Sequence, residues 1–242
     1  MAHGHPDWGA TAGKKTLYGS LDQAELAVRL QGIASLDRLG DVILAEDFAG
    51  GLGRWTTSVN GAGCSVGIAA QPTRIGPYSV ALLTAAVASA WARATIQVAY
   101  PVASRVGFEW FTTMGEECLF HQVECEAYGG GLQLAAGLRY VPLDQDLFYK
   151  NTAGVYVLLD ADEELYDGVA MFNGIKLVID TSTGEYVRCK VNETEYDMSG
   201  IPIQSAGWGG ASTLRMRLYW YGDEESDRTW YLDGVTITQN EP

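Results

Sequence analysis

Apolar and polar residues alternate along most of the chain after residue 41. The segments in which every second residue is apolar are Ala92–Tyr100, His121–Ala127, Leu132–Tyr140, Val187–Val191 and Leu214–Trp220. Successive side chains of a β-strand point to opposite faces, so this pattern predicts strands with one buried and one solvated face. Such strands are typical of antiparallel sheets that pack on one side only.

Turn residues support the same interpretation. The segment Asp180–Gly184 separates Ile175–Ile179 from Tyr186–Val191, which predicts a β-hairpin. Roughly a dozen strand-like segments and one helical segment favour an all-β fold, a two-sheet antiparallel β-sandwich or jelly roll. The 242 residues are enough for one large domain of this kind.

The first 41 residues follow a different pattern. Residues 1–19 are glycine-rich and show no periodicity, whereas Ser20–Gln23 has the spacing of a helix capping box. Apolar residues at helical spacing then predict one short helix over about residues 21–30. We therefore predict an extended N-terminal arm with a short helix over residues 1–41, followed by a sandwich over residues 42–242. The arm could dock on its own sandwich or on another molecule, and its candidate anchors are His3, His5, Pro6, Trp8 and Tyr18.

Composition narrows the classes of partner. Sixteen basic and thirty acidic residues give a net charge of −14, which disfavours binding to nucleic acid. No apolar run reaches the roughly twenty residues that span a bilayer, and the N-terminus lacks the features of a signal peptide. The four cysteines form no Cys-x-x-Cys pair, so we expect free, mostly buried thiols and no cofactor.

Catalytic groups are scarce in the sequence. Of three histidines, His121 lies on the apolar side of its strand, where a hydrogen-bonded core histidine is expected. Glu193, Glu195 and Asp197 alternate along one segment, as acids do in some jelly-roll glycosidases, although a solvated strand face explains them more simply. The prediction is therefore a protein that is not an enzyme, with a glycosidase as the least favoured alternative.

Two residue sets are candidate ligand sites. Asp47 and Asp233 lie near the ends of the first and last predicted strands, which often pair in sandwiches, so they are the candidates for a structural calcium ion. On the polar side of one strand, aromatic and cationic side chains could stack on and hydrogen-bond a sugar. These candidate glycan-binding residues are Arg215, Arg217, Tyr219 and Tyr221.

Two segments resemble parts of a known fold family. Asp41–Trp55 is similar to the opening strand and turn of concanavalin-like and carbohydrate-binding jelly rolls, and Trp230–Ile237 is similar to their closing strand. The resemblance implies the sandwich fold. It also implies that acids at the positions of Asp47 and Asp233 can hold calcium, although Gly234 departs from that pattern.

The N-terminal region resembles another group of proteins. His3–Gly9, the predicted helix and Leu36–Asp41 are similar to virion proteins of tailed bacteriophages, in which a jelly roll follows a short arm. This resemblance implies a structural virion protein, a capsid decoration or tail component made in the host cytoplasm. It would bind other virion proteins and copies of itself through its arm and one sheet face. A carbohydrate-binding jelly-roll module is the alternative.

Overall fold

The protein is all-β in the part of the chain that the computed structural model describes. The described residues are 36–37, 39–87, 89–100, 102–114, 118–168, 170–222 and 227–242. The predicted arm up to residue 35 and the predicted helix at residues 21–30 lie outside them. Within these ranges there is no helix long and apolar enough to cross a membrane.

The described residues form sixteen strands. In chain order they are β1 (Asp41–Glu46), β2 (Trp55–Asn60), β3 (Ser65–Ala69), β4 (Ser79–Thr84), β5 (Trp91–Ala99), β6 (Arg105–Thr113), β7 (Cys118–Gly129), β8 (Leu132–Val141), β9 (Asp146–Lys150), β10 (Tyr156–Asp160), β11 (Phe172–Asp180), β12 (Glu185–Val191), β13 (Thr194–Asp197), β14 (Gln204–Gly207), β15 (Thr213–Gly222) and β16 (Arg228–Gln239).

These strands make two antiparallel sheets, which confirms the predicted sandwich. The first sheet has the order β13-β12-β11-β6-β16-β4-β3, with β1 beside the end of β16. The second has the order β10-β9-β8-β7-β15-β5-β2, with β14 beside β8. The pairing of β1 with β16 confirms that the first and last strands lie side by side.

The core lies between the sheets and includes most of the alternating residues predicted to be buried. Along β15, Leu214, Met216, Leu218 and Trp220 are all fully buried. Full burial of one such side chain contributes roughly 1.5–3 kcal/mol to folding. The buried cysteines include Cys125 and Cys189, which are free thiols on the inner faces of the two sheets.

The predicted hairpin is confirmed, with β11 and β12 joined by residues 181–184. Asp180 pairs with Glu185, and the Gly184 amide donates a 2.9 Å hydrogen bond to the Asp180 carbonyl. The Asp180 carboxylate also accepts the Ser182 amide at 2.9 Å. Gly184 has a φ of 73°, a backbone conformation that a residue with a Cβ rarely adopts. Turn chemistry in the sequence thus identified this connection correctly.

Two positions that were predicted to lie in the core do not. The register of β11 with β12 slips at Val187, so Tyr186 takes the inner position that the sequence pattern gave to Val187. An extra residue in one strand reverses the facing of every residue beyond it. Leu132 was expected to be buried but is half exposed, because it is the first residue of β8 beside the turn at residues 130–131.

The outer face of the first sheet is covered by chain segments. The backbone amides of Leu36 and Asp37 donate hydrogen bonds of 2.6 and 3.2 Å to the Glu109 carboxylate on β6. The end of the predicted arm is therefore docked on its own sandwich. Glu109, although it points away from the core, is only 2% exposed.

A buried charge network fixes the same segments. Lys176 on β11 lies 2.8 Å from Glu241 and 3.4 Å from Asp37, and Arg188 on β12 contacts both carboxylates at 2.8 Å. Burial alone would raise the pKa of Asp37, but the hydrogen bond from Arg188 and the charge of Lys176 hold it below its usual value. These residues are referred to as the Lys176 network.

Candidate functional site

The outer face of the second sheet carries aromatic, cationic and polar side chains in rows across the strands. One row on β5, β15, β7 and β8 consists of Arg93, Tyr219, Gln122 and Arg139. The next row on β5, β15 and β7 consists of Trp91, Tyr221 and Phe120. On the opposite side of the first row, one row contains Arg217, Glu124 and Lys150. The next row contains Arg215 and Glu126, and the last contains Tyr128. With Tyr156 and Trp208, these residues are referred to as the arginine–aromatic face.

Aromatic rings cluster at one end of this face. Tyr221 stacks on Phe120 with ring centroids 4.1 Å apart and lies 6.0 Å from Tyr219. The ring of Trp91 meets Tyr219 edge-on at 5.8 Å. The rings support one another and form a rigid platform that is partly open to solvent.

Two arginines of the face are held by rings and neutral groups. Arg93 lies over Trp91 and Tyr219 at 5.3 Å and donates a 3.1 Å hydrogen bond to the Tyr219 hydroxyl. Arg139 lies 4.4 Å above the Phe120 ring and donates a 2.8 Å hydrogen bond to the Gln122 carbonyl oxygen. These contacts orient both guanidinium groups without neutralising their charge.

The middle of the face is a compact charged cluster. The Glu124 carboxylate forms ion pairs with Arg217 at 3.0 Å and with Lys150 at 3.3 Å. The Glu126 carboxylate forms ion pairs with Arg215 and Arg217. A depression of about 160 Å³ opens here, lined by these two glutamates, Arg217, Lys150 and part of β14. It offers hydrogen-bond donors and acceptors of both signs within a small volume.

A second aromatic pair lies at the opposite end. Trp208, 39% exposed, packs against Tyr128 with centroids 4.5 Å apart, and the Arg215 guanidinium lies 4.7 Å from the Tyr128 ring. Tyr221 lies six positions beyond Arg215 on β15, which corresponds to about 20 Å of extended strand. Tyr128 is 2% exposed, so Trp208 is the accessible ring at this end, and the polar depression lies between the two aromatic platforms.

His121 supports the face from inside the sandwich. Its Nε2 accepts a 3.2 Å hydrogen bond from Trp110, and its Nδ1 lies 3.0 Å from the Tyr219 carbonyl oxygen. Burial lowers the pKa of His121 to about 3, only partly offset by the bond to Tyr219. His121 is a neutral, doubly hydrogen-bonded core residue, as the sequence indicated.

The structure brings the four predicted glycan-binding residues together on the arginine–aromatic face. Arg215, Arg217, Tyr219 and Tyr221 occupy its central strand, β15. Sequence reasoning missed the neighbours that complete the face, among them Trp91, Phe120, Arg139 and Trp208. Alternation along β5, β7 and β8 indicated that several of these side chains face outward. It did not indicate which strands lie next to β15.

The predicted calcium ligands are differently arranged. Asp233 is fully buried, and its carboxylate accepts backbone amides of Arg74, Ile75 and Gly234 at 2.6, 2.9 and 2.7 Å. Burial raises its pKa, against the lowering effect of these hydrogen bonds. The Asp47 carboxylate accepts the Ala49 amide at 3.0 Å. Among the residues described, no three His, Cys, Asp or Glu side chains form a group that could hold a metal ion.

Other predicted residues lie elsewhere. The arm residues fall outside the described part of the chain: they are His3, His5, Pro6, Trp8 and Tyr18. Glu195 and Asp197 are exposed on β13, at the edge of the first sheet, and Glu193 lies in the preceding turn. None of these three acids contributes to the arginine–aromatic face.

No family model and no curated protein matches this sequence. Solved structures do match. The cellulose induced protein Cip1 is 14% identical with a TM-score of 0.55, and the match covers 81% of this chain and 96% of that one. An endo-β-1,4-glucuronan lyase from the fungus Trichoderma reesei is 9% identical with a TM-score of 0.56, over 82% and 95% of the two chains.

A third match is the carbohydrate recognition domain of Emp46p. It is 9% identical with a TM-score of 0.51, over 87% of this chain and 97% of that domain. These likenesses show the fold alone. They establish that nearly the whole described sandwich has the arrangement found in these proteins, as the resemblance of the opening and closing strands implied.

Proposed function

We propose that this protein binds carbohydrate through the arginine–aromatic face. The observation that carries the proposal is the pair of aromatic platforms on one face, separated by a depression lined with hydrogen-bonding side chains. Aromatic rings pack on the apolar faces of sugar rings, and the charged cluster can bind hydroxyl groups in both donor and acceptor roles. The length of the face suits an oligosaccharide.

The solved structures favour this function over a virion component. One of them is a carbohydrate recognition domain and another a glucuronan lyase, so the same sandwich serves carbohydrate ligands in other proteins. The virion prediction stays a prediction, because it depends on the arm, most of which lies outside the described residues. That the protein binds without catalysing a reaction also stays a prediction.

Affinity gel electrophoresis with a panel of soluble polysaccharides tests the proposal. Trp208→Ala should weaken binding at least about tenfold, because tryptophan is among the residues whose truncation costs most binding energy. Tyr78→Ala is the matched control, since Tyr78 is also 39% exposed but precedes β4 of the first sheet. Equal effects of the two substitutions, or no retention by any polysaccharide, would refute the proposal.

A further inference from the structure

We propose that the glycan is acidic, and that Arg93 and Arg139 bind its anionic groups from the two ends of the row they share with Tyr219 and Gln122. This inference rests on the proposed function and adds the ligand class. Arg93 and Arg139 are separated by three strand spacings, or about 14 Å. The two cations therefore lie on either side of the tyrosine platform.

The charge of the face differs from that of the whole protein. Among the described residues that point outward from the paired strands of the second sheet, the cations are Arg93, Arg139, Lys150, Arg215 and Arg217, and the carboxylates are Glu124, Glu126 and Asp146. This surplus of positive charge occurs in a chain with a net charge of −14. Binding of a neutral sugar would not require this surplus of cations.

The arginines of the face fall into two classes. Arg215 and Arg217 are neutralised by Glu126 and Glu124. Arg93 and Arg139 form no ion pair with any carboxylate in the described part of the chain, and their hydrogen bonds go to the neutral Tyr219 and Gln122 side chains. Each guanidinium has five N–H donors, so donors remain for a ligand on both.

Unsatisfied polar atoms lie beside these two arginines. The Nε of Arg93 and the hydroxyl of Tyr156 are buried without a hydrogen-bond partner among the described residues. The Arg139 guanidinium lies 4.1 Å from the Tyr156 ring. Core residues such as Trp220 and Trp230 also contain unpaired buried atoms, so ligand binding depends on the terminal N–H groups of the two guanidinium groups. A carboxylate or sulfate matches the planar, forked guanidinium donors of Arg93 and Arg139.

Binding to polygalacturonate, measured by isothermal titration at two salt concentrations, tests the inference. Carboxyl-reduced polygalacturonate provides the same backbone without charge, and dextran sulfate compared with dextran distinguishes sulfate from carboxylate recognition. We expect binding to at least one of the two charged polymers, at least tenfold weaker binding to its neutral counterpart, and weakening by added salt.

Single substitutions test whether Arg93 and Arg139 bind the anionic groups of the polymer. Arg93→Gln and Arg139→Gln should each weaken binding to the charged polymer on the order of 10- to 100-fold, the value of a charge-assisted hydrogen bond. Lys190→Gln, on β12 of the first sheet, should leave binding unchanged. Trp208→Ala should weaken binding of charged and neutral polymers alike.

The outcomes separate the two proposals. Tight binding of neutral glycans that is insensitive to Arg93→Gln and Arg139→Gln would overturn the acidic-glycan inference and leave the proposed function intact. Binding of single-stranded DNA as tightly as the polysaccharide would also overturn it, since the face would then recognise charge alone. Absence of binding to every polysaccharide would overturn both.

Discussion

The outer faces of the two sheets both carry cations beside glutamates, but they differ in what lies over them. On the first sheet, the Lys176 side chain is 1% exposed beneath the segments that precede β1 and follow β16, and its partner Glu241, in the latter segment, is 0% exposed. On the second sheet, Arg217 and Glu124 are 23% and 16% exposed and line a depression. Similar residue types thus serve internal packing on one face and remain accessible on the other.

The difference follows from how the charges are satisfied. In the Lys176 network each buried charge has a partner of opposite sign, and backbone carbonyl groups of Asp37 and Leu39 accept further hydrogen bonds from Lys176. A buried charge needs such partners, because desolvation is otherwise too costly. On the arginine–aromatic face, rings orient two guanidinium groups that keep unused donors. The first outer face therefore serves stability, whereas the second is the face for which binding is proposed.

The largest expected effect comes from breaking the Lys176 network. Lys176→Met removes one of the two cations that the Asp37 and Glu241 carboxylates share, and removal of one partner from a buried pair costs up to about 3–5 kcal/mol of the free energy of unfolding. Arg217→Met is the matched substitution on the open face, where solvent screening limits the loss to about 1 kcal/mol. Urea denaturation measures both.

A comparable loss from the two substitutions would contradict the distinction between the faces. The same experiment also tests the docked end of the arm. If the network did not hold residues 36–37 and 39–40 in solution, Lys176→Met would resemble an exposed lysine substitution and change stability by no more than about 0.5 kcal/mol.

An intermediate effect is expected from His121, which lies beneath the open face. Its pKa of about 3 is below the ordinary value, so at pH values between the two the unfolded chain binds a proton that the folded protein does not. The free energy of unfolding should therefore fall as the pH drops from about 6.5 towards 3, by up to roughly 1.4 kcal/mol per pH unit.

His121→Gln isolates this contribution. The variant keeps a side-chain donor and acceptor but has no titrating ring, so its stability should fall less steeply between pH 6.5 and 4 than that of the parent protein. Carboxylates such as Asp37 titrate in both proteins and cancel in the comparison. Parallel stability curves would mean that His121 is not buried in its neutral form.

The sequence predicted which side of its sheet a residue faces better than it predicted which strands are neighbours. Alternation correctly predicted that Leu218 points into the core and that Tyr219 points to the outer face, because facing depends only on local backbone geometry. It contained no information that β15 lies between β5 and β7, so Arg93 and Gln122 were not recognised as neighbours of Tyr219. Strand order depends on contacts distant in sequence, which periodicity does not encode.

The contacts of Asp47 and Asp233, the predicted calcium ligands, show a second limit of prediction from sequence. Both acids lie near the paired first and last strands, as expected, but β16 bulges after Asp233, and Gly234 adopts a φ of 56°. The Asp233 carboxylate consequently accepts the backbone amides of the loop at Arg74 and Ile75. The sequence shows the glycine, whereas the loop that approaches the carboxylate becomes visible only in the folded chain.

Hydroxyl-radical footprinting with and without polygalacturonate tests the central claim most directly, since it reports the solvent exposure of individual aromatic side chains on both faces. We predict that the bound polysaccharide protects Trp91, Trp208 and Tyr221, while Tyr78 and Tyr231 of the first sheet are labelled equally in both states. Protection of the first-sheet tyrosines, with unchanged labelling of Trp208 and Tyr221, would contradict the assignment of binding to the arginine–aromatic face.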